Sequence, residues 1–283
     1  MYNHIWFFDA QHPVSDVVLN KQIRLAKAFN SQVCVVIDQR ARATERRFWQ
    51  SASFFEAASK AHIEQVQNLQ LQLEKALTQH QINYRMFISD QKLYRQTIER
   101  ALSENAENMI LLMQKPKASQ HAIYQDLASL PCSVFMLTEK PWSATVKMTA
   151  AIDPLHEHAR PEALDNRIVR STQDFEKKLN AQWWLVHCCY ISPMFLEYKQ
   201  AIKDIHAEGF EQFAEENRIA PARLKMLTGM PESALPAWVD KQKVDVLVLG
   251  MVARNALMAH LVGSTTTALL SQQPCDMLMV TQA

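Results

Sequence analysis

The chain contains itself twice. Residues 130–137 read LPCSVFML and residues 273–280 read QPCDMLMV; upstream, YNHIWFFDA (2–10) answers VKMTAAIDP (146–154), each an apolar run ending in aspartate. ENMILLM (107–113) likewise answers VDVLVLG (244–250). A repeat of this length is a whole domain rather than a solenoid unit, so the chain divides into residues 1–141 and 144–283. The joint lies in TEKPWSAT (138–145), where Pro141 interrupts regular structure. Helical patterns separate the matching strands. In 53–79 the apolar positions Phe54, Phe55, Ala58, Ala61, Val66, Leu69 and Leu73 recur at three- and four-residue steps; in 195–217, Tyr198, Ile202, Ile205 and Phe213 do the same. Strands apolar throughout, alternating with helices, require a parallel sheet covered on both faces. The expectation is an α/β protein of two tandem doubly wound domains.

Charge and cysteine usage exclude several classes of function. The 283 residues carry a formal net charge of +1, without the basic footprint of a nucleic-acid binder. The most apolar stretch, 244–263, is broken by Asp245, Arg254 and His260, so no membrane span is expected. MYNHIWFFDAQHP has no basic leader region and does not read as a signal peptide. Five cysteines in no metal-like spacing indicate free thiols in a reducing compartment, and the expected location is cytoplasmic.

Glycine is scarce, and that makes one loop conspicuous. Of the four glycines, Gly250 and Gly263 bracket GMVARNALMAHLVGST. Gly250 closes an apolar strand, where the missing Cβ lets a ligand approach the backbone. Gly263, Ser264 and Thr265 precede the apolar run TTALLSQ, so Ser264 can cap a helix whose free N–H groups attract an anion. Arg254 adds a positive charge. Taken alone, such features are more often a turn and an ordinary helix cap, and no GxxxxGK[ST] is present.

GMVARNALMAHLVGST resembles the G-x2-G-x9-G-[ST] loop of universal stress proteins, with Gly250, Ala253, Gly263 and Ser264 at the four fixed places and alanine at the second glycine. Asp153 at the end of a first strand, the PCDMLMV ending, the repeat, the KPW joint and GMPESALPAWVDKQKVDVLVLG are most similar to the tandem E-type members. The resemblance implies five-stranded sheets in the order 3-2-1-4-5, with Asp153 and Gly250 on adjacent strands at the switch point. It implies that Ile152 and Asp153 contact the base and ribose of ATP. Gly250, Met251, Ala253, Arg254, Gly263, Ser264 and Thr265 would then wrap the phosphates, accompanied by magnesium or manganese. Ala253 puts a methyl group where none is expected, which weakens binding.

The first half has Asp9 as counterpart of Asp153, but its loop after MILLM is shorter and has no glycine, so a scaffold or a different ligand is expected there. Lys115 and Lys117 in that loop read as solvated. Cys132 and Cys275, each after a proline, read as buried small hydrophobes. Cys188 and Cys189 on one strand point to opposite faces and form neither disulfide nor zinc site, leaving a redox role for the thiol at the strand end. His156 and His158 form an H-x-H without further ligands at suitable spacing. Arg40, Arg42, Arg46 and Arg47 read as a solvated face. No nucleophile, base and orienter stand at motif spacing.

The functional expectation is a stress-response sensor that binds ATP in its second domain and signals to a regulatory protein. Two alternatives stand beside it: a scaffold that binds no nucleotide, and a slow ATPase or self-phosphorylating protein. The edge strands 132–138 and 275–281 are suited to pair, making a pseudo-dimer of domains and permitting a homodimer.

Overall fold

The computed structural model describes residues 3–10, 12–39, 52–89, 96, 98, 99, 110–114, 127, 130, 132–155, 162–251 and 264–281. The side chains of residues 3, 52–55, 162, 264 and 267 are also outside the description. Two compact units form: Met1–Ser119 with Leu137–Glu139, and Gln120–Met136 with Lys140–Ala283.

In the first unit, β1 (Asn3–Asp9), α1 (Asp16–Phe29), β2 (Gln32–Asp38), α2 (Ala52–Gln79), β3 (Tyr84–Ser89) and β4 (Ile110–Gln114) follow in sequence. The strands are parallel in the order β3-β2-β1-β4. Consecutive burial along β4 places both of its faces under cover, as an apolar parallel strand requires. Helix α2 turns Val66, Leu69, Leu73 and Leu77 inward, while Ala61 of the expected stripe is exposed. Its Phe54 and Phe55 side chains lie outside the described residues.

The second unit takes residues 133–136 of β5 (Ser133–Leu137), then β6 (Lys147–Ile152), α3 (Glu162–Leu179) and β7 (Gln182–Cys189). It continues with a 3-10 turn (Pro193–Tyr198), α4 (Lys199–Glu216), β8 (Leu224–Thr228), α5 (Pro231–Gln242), β9 (Val246–Met251), α6 (Ser264–Gln272) and β10 (Asp276–Thr281). Its five parallel strands lie in the order β8-β7-β6-β9-β10, the expected 3-2-1-4-5. On the outer side of β10, β5 pairs antiparallel, matching Met136 with Met277 and Val134 with Met279. This is the pairing expected of those two edge segments.

The joint is fastened rather than loose. Trp142 stacks on Phe135 at 6.2 Å and donates from Nε1 to Asp276 Oδ2 at 2.6 Å. Buried Asp245 accepts from Ser143 N and Ser143 Oγ at Oδ1 (3.0 and 3.1 Å) and from Lys147 N at Oδ2 (2.9 Å). Its own N–H donates to Lys147 O, and its carbonyl accepts from Asp276 N, so one residue ties the amino ends of β6, β9 and β10.

Helix α4 departs from the sequence reading. Its buried positions are His206, Phe210 and Ala214, whereas Tyr198 and Ile205 of the expected stripe are 62% and 57% exposed. The reason is polar: His206 turns inward because buried His187 on β7 bonds it, Nε2 to Nδ1 at 2.6 Å. Hydrophobic spacing alone carries no trace of that bond.

Two tests follow from the packing. Asp245→Ala strands three donors at once and is expected to cost about 3–4 kcal/mol, lowering the urea midpoint without changing the slope. In the first unit, burial pushes the His4 imidazole down to about 3 from 6.5. The unfolded chain therefore takes up a proton that the folded chain refuses. His4 leaves stability intact above about pH 6.5 and erodes it as pH falls toward 3, by up to about 1.4 kcal/mol per unit. Urea titrations from pH 7 to 4 should show that limb flattened in His4→Gln; an unchanged limb would show that other groups set it.

Candidate functional site

Strand order fixes where a crevice opens in the second unit. The chain runs outward from β6 to β7 and β8, then returns to β6's other side as β9, so β6 and β9 lead in opposite directions. Their ladder stops at Ala150 and Val248, while β6 stays paired with β7 as far as Ile152 and His187. The carboxyl ends of β6 and β9 thus carry strand termini not joined to each other, the usual ligand position in open α/β sheets.

Asp153 stands directly past β6. Its N–H donates to Asp165 Oδ2 at 3.1 Å, and its Oδ1 is buried without a hydrogen-bond partner. Buried Ile152 accepts at its carbonyl from His187 Nδ1 at 3.3 Å, which fixes the tautomer of the neutral pair: His187 Nε2 is left to accept from His206 Nδ1. Leu155 reaches α4 at Gly209, where a Cβ would lie 2.6 Å from Leu155 Cδ2.

On the other side of the crevice, Gly250 is inside β9, opposite Val280, and the strand continues to buried Met251 opposite Thr281. Ladder pairing keeps Gly250 extended, so its contribution is an absent Cβ, not a left-handed turn. Helix α6 begins at Ser264. Its Thr266 Oγ donates to Gly250 O at 3.4 Å, holding the first turn against the strand end. Thr265 Oγ donates to Glu232 Oε1 at 2.9 Å, and Glu232 Oε2 is buried without a partner. Ala253, Arg254 and Gly263 lie outside the described residues, as do His156, His158, Lys115, Lys117 and the four arginines of 40–47.

Cys188 at the end of β7 reports how close the two acids come. Burial first, then the charges of Glu232 and Asp153, push its thiol up to about 12. The thiolate is suppressed at neutral pH, and Cys189 beyond it is buried, so this pair lacks the electropositive setting of a redox thiol. Among the described residues no group of three or more His, Cys, Asp or Glu is arranged to hold a metal ion.

The same end of the first unit is closed on itself. Asp9 Oδ2 accepts from His12 Nδ1 at 2.8 Å, and Gln114 at the end of β4 accepts from Ser15 N and donates to Glu139. The equivalent carboxylate in the second unit keeps an oxygen free of such a bond. Asp165, Glu232 and the histidine pair had no place in the sequence reading. Of these only Glu232 had a signal, an acid in the first turn after Pro231.

For an adenine nucleotide, Asp153 Oδ1 fits as an acceptor for a ribose hydroxyl or an exocyclic amine. Gly250 and Thr265 fit the approach of a phosphate. Glu232 fits only if a divalent cation lies between its carboxylate and the phosphates.

The universal stress protein family profile matches residues 147–281. Universal stress protein E of Photorhabdus laumondii is 22% identical over 169 residues, 56% of this chain and 54% of that protein. The Escherichia coli K12 protein of the same name is 22% identical over 165 residues, 54% of this chain and 52% of its own. The chain thus spans about half the length of the curated relatives it matches. A functionally unknown protein of Pseudomonas aeruginosa PAO1 shares the fold with TM-score 0.70 at 18% identity, over 99% of this chain and 92% of that one. A universal stress protein of Archaeoglobus fulgidus does so with TM-score 0.61 at 12% identity, over 99% and 96%. Residues 147–281, just under half of the chain, thus carry a universal stress protein domain.

Proposed function

We propose that the chain is a stress-response regulator that binds an adenine nucleotide, with magnesium or manganese, at the carboxyl ends of β6 and β9. Residues 144–283 form the nucleotide-binding domain, and 1–141 form its glycine-free counterpart. The observation that carries this reading is the Asp153 carboxylate, whose buried Oδ1 has no protein donor while its counterpart Asp9 is bonded to His12. A buried acceptor left unpaired costs roughly 1–3 kcal/mol, which a ligand donor at that point would recover. Ile152, Gly250, Met251, Ala253, Arg254, Gly263, Ser264 and Thr265 would complete the contacts.

The second reading is a cytoplasmic scaffold. It is supported by the β5 and β10 pairing, which needs no ligand, and by Glu232 standing where phosphate would have to come.

Calorimetry of ATP with magnesium against the whole chain separates them. One-to-one binding is expected, weakened about tenfold or more by Asp153→Ala, consistent with loss of one hydrogen bond to a charged acceptor, and unchanged by Asp9→Ala. Binding indifferent to Asp153→Ala would remove the site from β6. Absence of binding to the folded chain would leave the scaffold.

A further inference from the structure

Of the α4 stripe that the sequence pattern assigned to the core, Tyr198 and Ile205 are exposed and Ile202 and Phe213 half-buried, and its amino-terminal end continues into a segment with no buried residue. From Pro193 to Ala201 nine consecutive residues are exposed. They include Met194 at 81%, Phe195, Leu196 and Tyr198, with Tyr190 before them and Ile205 one turn after. Single apolar side chains on a surface are ordinary; six large ones within sixteen residues of one turn and helix are a patch. The 3-10 turn bends at Phe195 (φ −111°, ψ 20°), so the chain presents these side chains from a kinked projection rather than a flat helix face.

Charge beside the patch selects the occupant. Asp204, Glu208, Glu211 and Glu215 recur at four- and three-residue steps and form one exposed row along α4, flanking Ile205. Glu197 lies within the turn itself. We infer that Met194, Phe195, Leu196, Tyr198 and Ile205 dock a basic amphipathic helix of a partner protein. Its apolar stripe would cover the turn and its lysines or arginines would face the α4 acids. The flexible, polarisable Met194 suits a surface that moulds to a helix. A second copy of this chain is the poorer occupant, because a two-fold contact through this face brings the acidic rows together. An anionic membrane is disfavoured by the same charges. The inference does not depend on nucleotide binding, and its test contains none.

Three labelled synthetic peptides of about 18 residues serve as probes for the whole chain by fluorescence anisotropy. One has leucines at i, i+3, i+4 and i+7 with lysines elsewhere, the second has glutamates in place of the lysines, and the third is the basic composition shuffled so that no apolar face forms. The basic amphipathic peptide is expected to bind saturably, one to one, about tenfold or more tighter than either other peptide. Met194→Ser with Leu196→Ser should weaken it at least about tenfold, and Glu208→Lys with Glu211→Lys should weaken it and flatten its salt dependence. All four positions are exposed, so unchanged thermal unfolding is expected and separates lost docking from lost fold. No saturable binding, equal binding of the shuffled peptide, or indifference to both double variants would overturn the inference. So would a dimer in sedimentation that Met194→Ser with Leu196→Ser dissolves, which assigns the face to a second copy. Binding to phosphatidylglycerol vesicles that the same variant abolishes would assign it to a membrane instead.

Discussion

Asp245 sets the geometry on which the second unit's crevice depends. A parallel sheet has no hairpins to fix its register, so strands that arrive from distant parts of the chain must be aligned by other means. Here one buried carboxylate gathers Ser143 and Lys147 from the entry to β6, while its backbone joins β6 on one side and β10 on the other. The carboxyl ends of β6 and β9 are six residues or so downstream of that clamp. The register set there brings the ends of β6 and β9 level at one edge of the sheet, where their ladder stops at Ala150 and Val248.

The crevice is also unusual in its balance of charge. Asp153 and Glu232 both bear on Cys188, and the described residues around them supply hydroxyls and backbone rather than cations. A buried carboxylate oxygen is tolerated when it finds hydrogen bonds or a positive partner. Asp153 has a buried oxygen with none of these from the protein, and so does Glu232. The physical demand is for donors on the β6 side and positive charge on the α6 side.

Much of this arrangement was legible in the sequence because repetition and strand hydrophobicity are properties of single elements. The strand order of the second unit, through the family resemblance, and the position of Asp153 at a strand end were there to be read. What could not be read depends on pairs. His206 is buried in a hydrogen bond to His187, so the spacing of Tyr198, Ile202, Ile205 and Phe213 marked the margin of the buried face of α4 rather than its centre. Glu232 enters the crevice because Thr265, distant in sequence, offers it a hydroxyl. Helix ends were obscured for another reason. Glycine usually marks them, but here Asn30, Gln81, Asn180, Arg218, Lys243 and Gln273 take the left-handed conformation just past α1 to α6, at roughly 1 kcal/mol each.

That scarcity of glycine sharpens the meaning of the few that remain. A chain that accepts strained asparagine, glutamine, lysine and arginine at six helix ends is not using glycine for ordinary turns. Gly229 is the exception, with φ +117° at the turn between β8 and α5. Gly209 lies under Leu155, where a Cβ would collide, and Gly250 sits extended in a strand where any residue could adopt the backbone conformation. At Gly250 the property that distinguishes glycine is the missing Cβ, next to a carbonyl that accepts from Thr266 Oγ. A missing side chain at the end of β9 and an unsatisfied carboxylate oxygen just past β6 are each a cost to a protein alone.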